Sequence, residues 1–127
     1  MKFTYKKEER LKSRKLIQQL FTEGMSVSVY PLQLVFLKKT HNSTTNLQIG
    51  VSVSKKKVSK AVQRNRIKRV LRELFRRHKP YFTEGLSEQY VGMFLYVDKE
   101  LETSADLEIK MKELAEKFID RIKGFSV

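Results

Sequence analysis

The segment SKKKVSKAVQRNRIKRVLRELFRRHKP, Ser54 to Pro80, carries twelve Lys or Arg residues and a single acid, Glu73. Within it Ile67, Val70, Leu71, Leu74 and Phe75 recur at i, i+3, i+4, i+7 and i+8, which is one dry stripe of an α-helix. At about 100° per residue, Asn65, Arg69, Arg72 and Arg76 fall opposite that stripe. Arg66 and Arg77 flank them on one side and Lys68 on the other. The spacing predicts a helix from about Lys60 to His78, stopped by Pro80, whose ring disfavours helical backbone before it. Solvated helix surfaces usually mix signs, because opposite charges one turn apart attract. Nearly every outward charge here is positive, so this face is suited to an anionic partner.

Working outward, Leu47, Ile49, Val51 and Val53 alternate with Gln48, Gly50, Ser52 and Ser54, a half-buried strand with a small polar wet face. THNSTTN, Thr40 to Asn46, precedes it as a loop. MSVSVYPLQLVFLKK reads as two extended pieces broken near Pro31, the second over Leu32–Lys38. A first helix is expected from Ser13 to Phe21, with Leu16, Ile17, Leu20 and Phe21 on one stripe, Ser13 as N-cap and Gly24 beyond its end. On the other side, QYVGMFLYVD, Gln89 to Asp98, reads as a buried strand. A last helix starts near Thr103 or Ser104, where Asp106 resembles half a capping box. Its core stripe is Leu107, Met111, Leu114, Phe118 and Ile122, its outer charges are mixed, and Gly124 is expected to end it. The fold class is therefore α+β, in the order α-β-β-β-α-β-α, as a two-layer sandwich in one domain over residues 1–127.

Composition narrows the function. A hydrophobic content of 40% suits a globular core rather than a disordered tail. The net charge is +13, and residues 55–79 alone carry an excess of +11, so the cations form a dedicated surface. No apolar run is long enough for a membrane span, and the basic N-terminus lacks an apolar region after it, so a cytoplasmic address is expected. Zero cysteines exclude disulfides, thiolate metal sites and cysteine nucleophiles. A lipid surface would want large apolar residues beside the cations, and the middle helix keeps its apolar residues on a separate stripe. Nucleic acid fits better, since the Arg fork matches phosphate oxygens and Asn65 can serve a base edge or a 2′-hydroxyl. Protein-borne catalysis is not expected. His41 and His78 have no spacing that aims both at one phosphate, carboxylates are not clustered, and no Gly-rich phosphate loop occurs. A protein ligand for metal is not assignable from these residues.

IGVSVSKKKVSKAVQRNRIKRVLRELFR, Ile49 to Arg76, closely resembles the protein component of bacterial ribonuclease P. The motif is a strand ending in V-S-K-K, here Val53–Lys56, then A-V-x-R-N-R-x-K-R-x-x-R-E, here Ala61–Glu73. RLK…LFTEG near the start agrees with it. The resemblance implies a ribosomal-protein-like fold with a left-handed β-α-β crossover. It implies a basic accessory subunit that helps a catalytic RNA remove the 5′ leader from precursor tRNA, with hydrolysis and its Mg ions belonging to the RNA. Its partners would be that RNA and precursor tRNA, and the free protein a monomer. The positions it implies for the catalytic RNA are Arg64, Asn65, Arg66, Lys68, Arg69 and Arg72. Those it implies for the leader, in a cleft between the first helix and the sheet, are Ile17, Phe21 and Phe36, with Lys55 and Lys56 at the edge. Many relatives have an aromatic where Ile17 stands, and Ser59 stands where a Gly is common. The reading that competes with this one is a ribosomal or general RNA-binding protein without a processing role.

Overall fold

A computed structural model describes residues 9–41 and 45–125. Residues 42–44 of the expected polar loop, and most of MKFTYKKEER, lie outside them. The elements follow the expected order: α1 (Arg14–Glu23), β1 (Met25–Val29), β2 (Leu32–Lys38), β3 (Leu47–Val53), α2 (Ala61–Thr83), β4 (Tyr90–Tyr96) and α3 (Ser104–Phe125). Ser13 caps α1, its hydroxyl accepting from the Leu16 N–H at 3.3 Å. Gly24 ends the helix where the chain passes so close to itself that a Cβ would lie 2.3 Å from the Leu20 carbonyl and 2.9 Å from that of Phe36. No side chain fits there, which makes glycine obligatory. Thr103 caps α3, accepting from the Asp106 N–H at 3.3 Å.

The sheet order is β1-β2-β4-β3. β1–β2 and β2–β4 are antiparallel, and β3–β4 is parallel. The parallel pair is joined through α2, the crossover that parallel neighbours require. Strand alternation then sorts side chains by face. Val27, Leu32, Leu34, Phe36, Leu47, Ile49, Val53, Tyr90, Phe94 and Tyr96 meet the dry stripes of α2 and α3 in the main core. Val35, Val91 and Met93 point the other way, toward Leu11, Leu16, Ile17 and Leu20. The helix α1 therefore lies on the second face, over β2 and β4, and leaves the β3 side of that face open.

Two expectations about α2 change. The helix runs through Pro80 to Thr83 rather than stopping at it. The extra turn carries Phe82, fully buried, with its ring 5.4 Å from Phe94, 5.7 Å from Phe75 and 6.0 Å from Phe118. An interior proline costs roughly 3 kcal/mol. Burying a Phe returns about 1.5–3 kcal/mol, and its ring pairs add about 0.5–1.5 kcal/mol each. Packing outweighs propensity. The second change is His78, which the expected helix placed at its end. It instead sits inside the helix, 8% exposed, with its Nε2 3.7 Å from Glu108 of α3. The last helix also continues past Gly124 by one residue.

Candidate nucleic-acid interface

The loop that leads into α2 is built first. Lys55–Lys57 form a turn closed by the Val58 N–H donating to the Ser54 carbonyl at 2.9 Å, and Val58 plugs the core at 2% exposure. Lys57 is drawn back by its ammonium donating to the Val97 carbonyl at 2.9 Å. Lys55 and Lys56 project into solvent. The N-cap residue Lys60 supplies no side-chain cap. Arg64 reaches back instead, its Nη1 donating to the carbonyls of Val58 (2.9 Å) and Ser59 (2.7 Å). Arg64 is half-buried and acts as a strap that fixes the loop.

Beyond that strap the helix face is open. Asn65, Arg66, Arg69 and Arg72 are exposed and Lys68 is half-buried. Among the described residues none of these cations forms an ion pair. The C-terminal half differs. Glu73, the lone acid of the helix, receives hydrogen bonds from Arg76 and lies 3.8 Å from Arg77. Those bonds hold the Glu73 carboxyl below the usual carboxylate range. Arg77 also meets Glu108 of α3 at 2.6 Å. The unneutralised charge is thus concentrated over Arg66–Arg72.

A groove of about 360 Å³ opens where α1 leaves the second sheet face uncovered, lined by Arg10, Leu11, Ile17, Gly50, Val51, Arg72 and Met93. Gly50 forms part of its floor. A Cβ there would meet the Met93 methyl at 2.9 Å, so any larger residue displaces the end of the Met93 side chain. A second groove of about 500 Å³ lies against α2, with Arg69, Arg72, Arg76, Arg77 and again Arg10 in its lining.

The structure brings some leader candidates together and separates others. Ile17 lines the first groove. Phe21 is half exposed on α1. Lys55 and Lys56 stand at the end of β3, beyond the lining residues. Phe36 requires a correction: it is 3% exposed and packs edge-on to Phe118 at 4.9 Å on the main-core face. Alternation decides this, because Phe36 shares parity with Leu32 and Leu34, whereas Val35 and Leu37 share the α1 face. Arg10 was missed. It sits in a segment without periodicity and is brought here by long-range pairing with Ile49. No group of three or more His, Cys, Asp or Glu suited to a metal occurs among the described residues, and none of their helices is long and apolar enough to cross a membrane.

Known proteins match both the sequence and the fold. The profile of the family described as Ribonuclease P matches residues 5–122. The chain is 34% identical over 114 residues to the ribonuclease P protein component of Porphyromonas gingivalis, covering 87% of this chain and 83% of that protein. It is 38% identical over 84 residues to that of Dictyoglomus thermophilum, covering 66% and 67%. The solved RNase P protein from Thermotoga maritima aligns with a TM-score of 0.68 at 25% identity, over 86% of this chain and 96% of that one. The Staphylococcus aureus RNase P protein shares the fold, with a TM-score of 0.67 at 23% identity over 85% and 93%. The family match runs through every strand and all but the last turn of α3, so the chain belongs to the ribonuclease P protein family, as the protein subunit of the ribonucleoprotein endoribonuclease that removes the 5′ leader from precursor tRNA.

Proposed function

We propose that the chain works as one domain over residues 1–127, monomeric and cytoplasmic when free, and that its two basic surfaces divide the labour between two RNAs. The exposed face of α2 grips the catalytic RNA through Asn65, Arg66, Lys68, Arg69 and Arg72. Arg64 sets the loop that presents Lys55 and Lys56. The groove beside α1 holds the single-stranded leader of precursor tRNA against Ile17 and the small floor at Gly50, with Phe21 and the two lysines at its margin. Hydrolysis belongs to Mg ions held by the RNA. The protein neutralises phosphate repulsion between two polyanions and holds the leader, so precursor is favoured over mature tRNA, which has lost the occupant of the groove.

The observation that carries this reading is the exposure of Arg66, Arg69 and Arg72 with no carboxylate partner among the described residues. Cations placed for solvation or for folding would be paired with the acids nearby, as Arg76 and Arg77 are. The test is the salt dependence of binding to the catalytic RNA. Two lost phosphate contacts should flatten the log–log slope by about 1.5, so Arg66→Ala with Arg69→Ala should weaken assembly and show that change. A slope equal to that of the unaltered protein removes α2 from the RNA interface.

A further inference from the structure

Three consecutive residues ahead of α1 are held in three different ways. The Glu9 carboxylate, only 6% exposed, accepts from the Lys79 ammonium of α2 at 2.7 Å. The Leu11 N–H donates to the Ile49 carbonyl at 2.9 Å, and its side chain, 6% exposed, joins the cluster under α1. Between these anchors Arg10 pairs with Ile49 along the open edge of β3 and turns its side chain outward. Among the described residues, Arg10 and Arg72 line both grooves.

We propose that Arg10 is a substrate-binding residue at the junction of the two grooves, where with Arg72 it holds a phosphate of the leader as the strand leaves the groove beside α1. Glu9 and Lys79 are positioning residues that fix its backbone. The inference rests on the reading that this groove holds the leader, and adds to it the residue at the groove's exit and the device that places it. A buried ion pair contributes little stability over an apolar pair of the same volume; its use lies in setting register. Here the register decides whether residue 10 or a neighbour reaches the junction. A guanidinium on an anchored backbone loses less freedom on binding than one on a loose arm, which favours a single phosphate position over diffuse attraction.

The reconstituted holoenzyme tests this with precursor tRNAs carrying leaders of graded length and with mature tRNA. Arg10 is exposed, and a thermal melt of Arg10→Ala checks that the fold is kept. The substitution should lower the precursor-to-mature affinity ratio about tenfold, the scale of one charge-assisted bond. The loss should appear only once the leader is long enough to reach the junction, and the salt slope for precursor should fall by about 0.7. Arg10→Lys should recover the slope. Glu9→Gln should reproduce part of the loss, and the swap Glu9→Lys with Lys79→Glu should restore the ratio. A merely structural defect would weaken all leader lengths and mature tRNA alike, and that result overturns the proposal. So does a ratio untouched by Arg10→Ala, or a loss confined to binding of the catalytic RNA. If the unaltered holoenzyme itself shows no preference for precursor, the leader reading fails first, and the two failures are distinguishable.

Discussion

Phe36 and Phe21 are both aromatic and both were expected at the cleft, yet strand parity turns Phe36 into the main core while Phe21 stands half exposed on α1. Phe36 is locked against Phe118 and Tyr90, so Phe36→Ala should cost about 3–5 kcal/mol, read as a lowered denaturation midpoint. The folded fraction should keep its preference for precursor tRNA. A variant of native stability with lost preference would return Phe36 to the cleft. The histidines give a second prediction at this scale. Burial pushes the His78 imidazole below its usual value, with the Glu108 carboxylate 3.7 Å away opposing the shift more weakly. Burial lowers His41 as well, against the hydrogen bond between its Nε2 and the Tyr90 carbonyl at 3.2 Å. The folded values lie below the unfolded one, near 6.5, so the unfolded chain takes up the protons first. Stability present above about pH 6.5 is then lost as the pH falls through the lowered values. His78→Gln should make that decline shallower in thermal melts taken across the range, with His41 retaining its share. A decline of unchanged steepness would mean that His78 titrates as it does in the unfolded chain.

At the scale of elements, the contest between Pro80 and Phe82 separates what a sequence displays from what it conceals. The stripe Ile67–Phe75 and the alternation Leu47–Val53 are local patterns, and both elements stand where their periodicity puts them. The end of α2 depends on Phe82 meeting Phe94 and Phe118, partners on β4 and α3 that no local window contains. Pro80→Ala restores an N–H for the Arg76 carbonyl and relieves the ring clash, while loosening the unfolded chain. The net gain should be about 1–2 kcal/mol in chemical denaturation. Phe82→Ala should instead cost about 3–5 kcal/mol and free the turn beyond Pro80 to exchange its amide hydrogens. Protection that persists there would show that the turn stands without Phe82. The site follows the same division. The cationic face of α2 was legible because helical geometry converts spacing directly into a face. The grooves were not, since Arg10 reaches them by pairing with β3 and Gly50 by its approach to Met93; nor does any local pattern show Arg64 reaching back to two loop carbonyls.

For the whole molecule, the net charge of +13 matters less than where it is left unbalanced. Acids hold the cations at the margins: Glu9 takes Lys79, Glu88 takes Lys38, Glu102 takes Lys110, and Glu108 takes Arg77. Along α2 only Glu73 intervenes, and it divides the helix into an unneutralised half over Arg66–Arg72 and a paired half over Arg76 and Arg77. On the proposed reading, that one carboxylate sets how far along the helix a phosphate chain is attracted. Exposed pairs of this kind contribute about 0–1 kcal/mol to stability, so Glu73→Gln should barely move the denaturation midpoint. It should, however, take the Glu73 charge away from Arg76, while Glu108 continues to meet Arg77. Binding to the catalytic RNA should then tighten, and the log–log salt slope should steepen by about 0.7–0.9, the contribution of one additional neutralised phosphate. Titrations at several salt concentrations read both quantities. A steeper slope with an unchanged midpoint places the boundary of the RNA footprint at Glu73. An unchanged slope places Arg76 outside the footprint and assigns its ion pair to the helix alone.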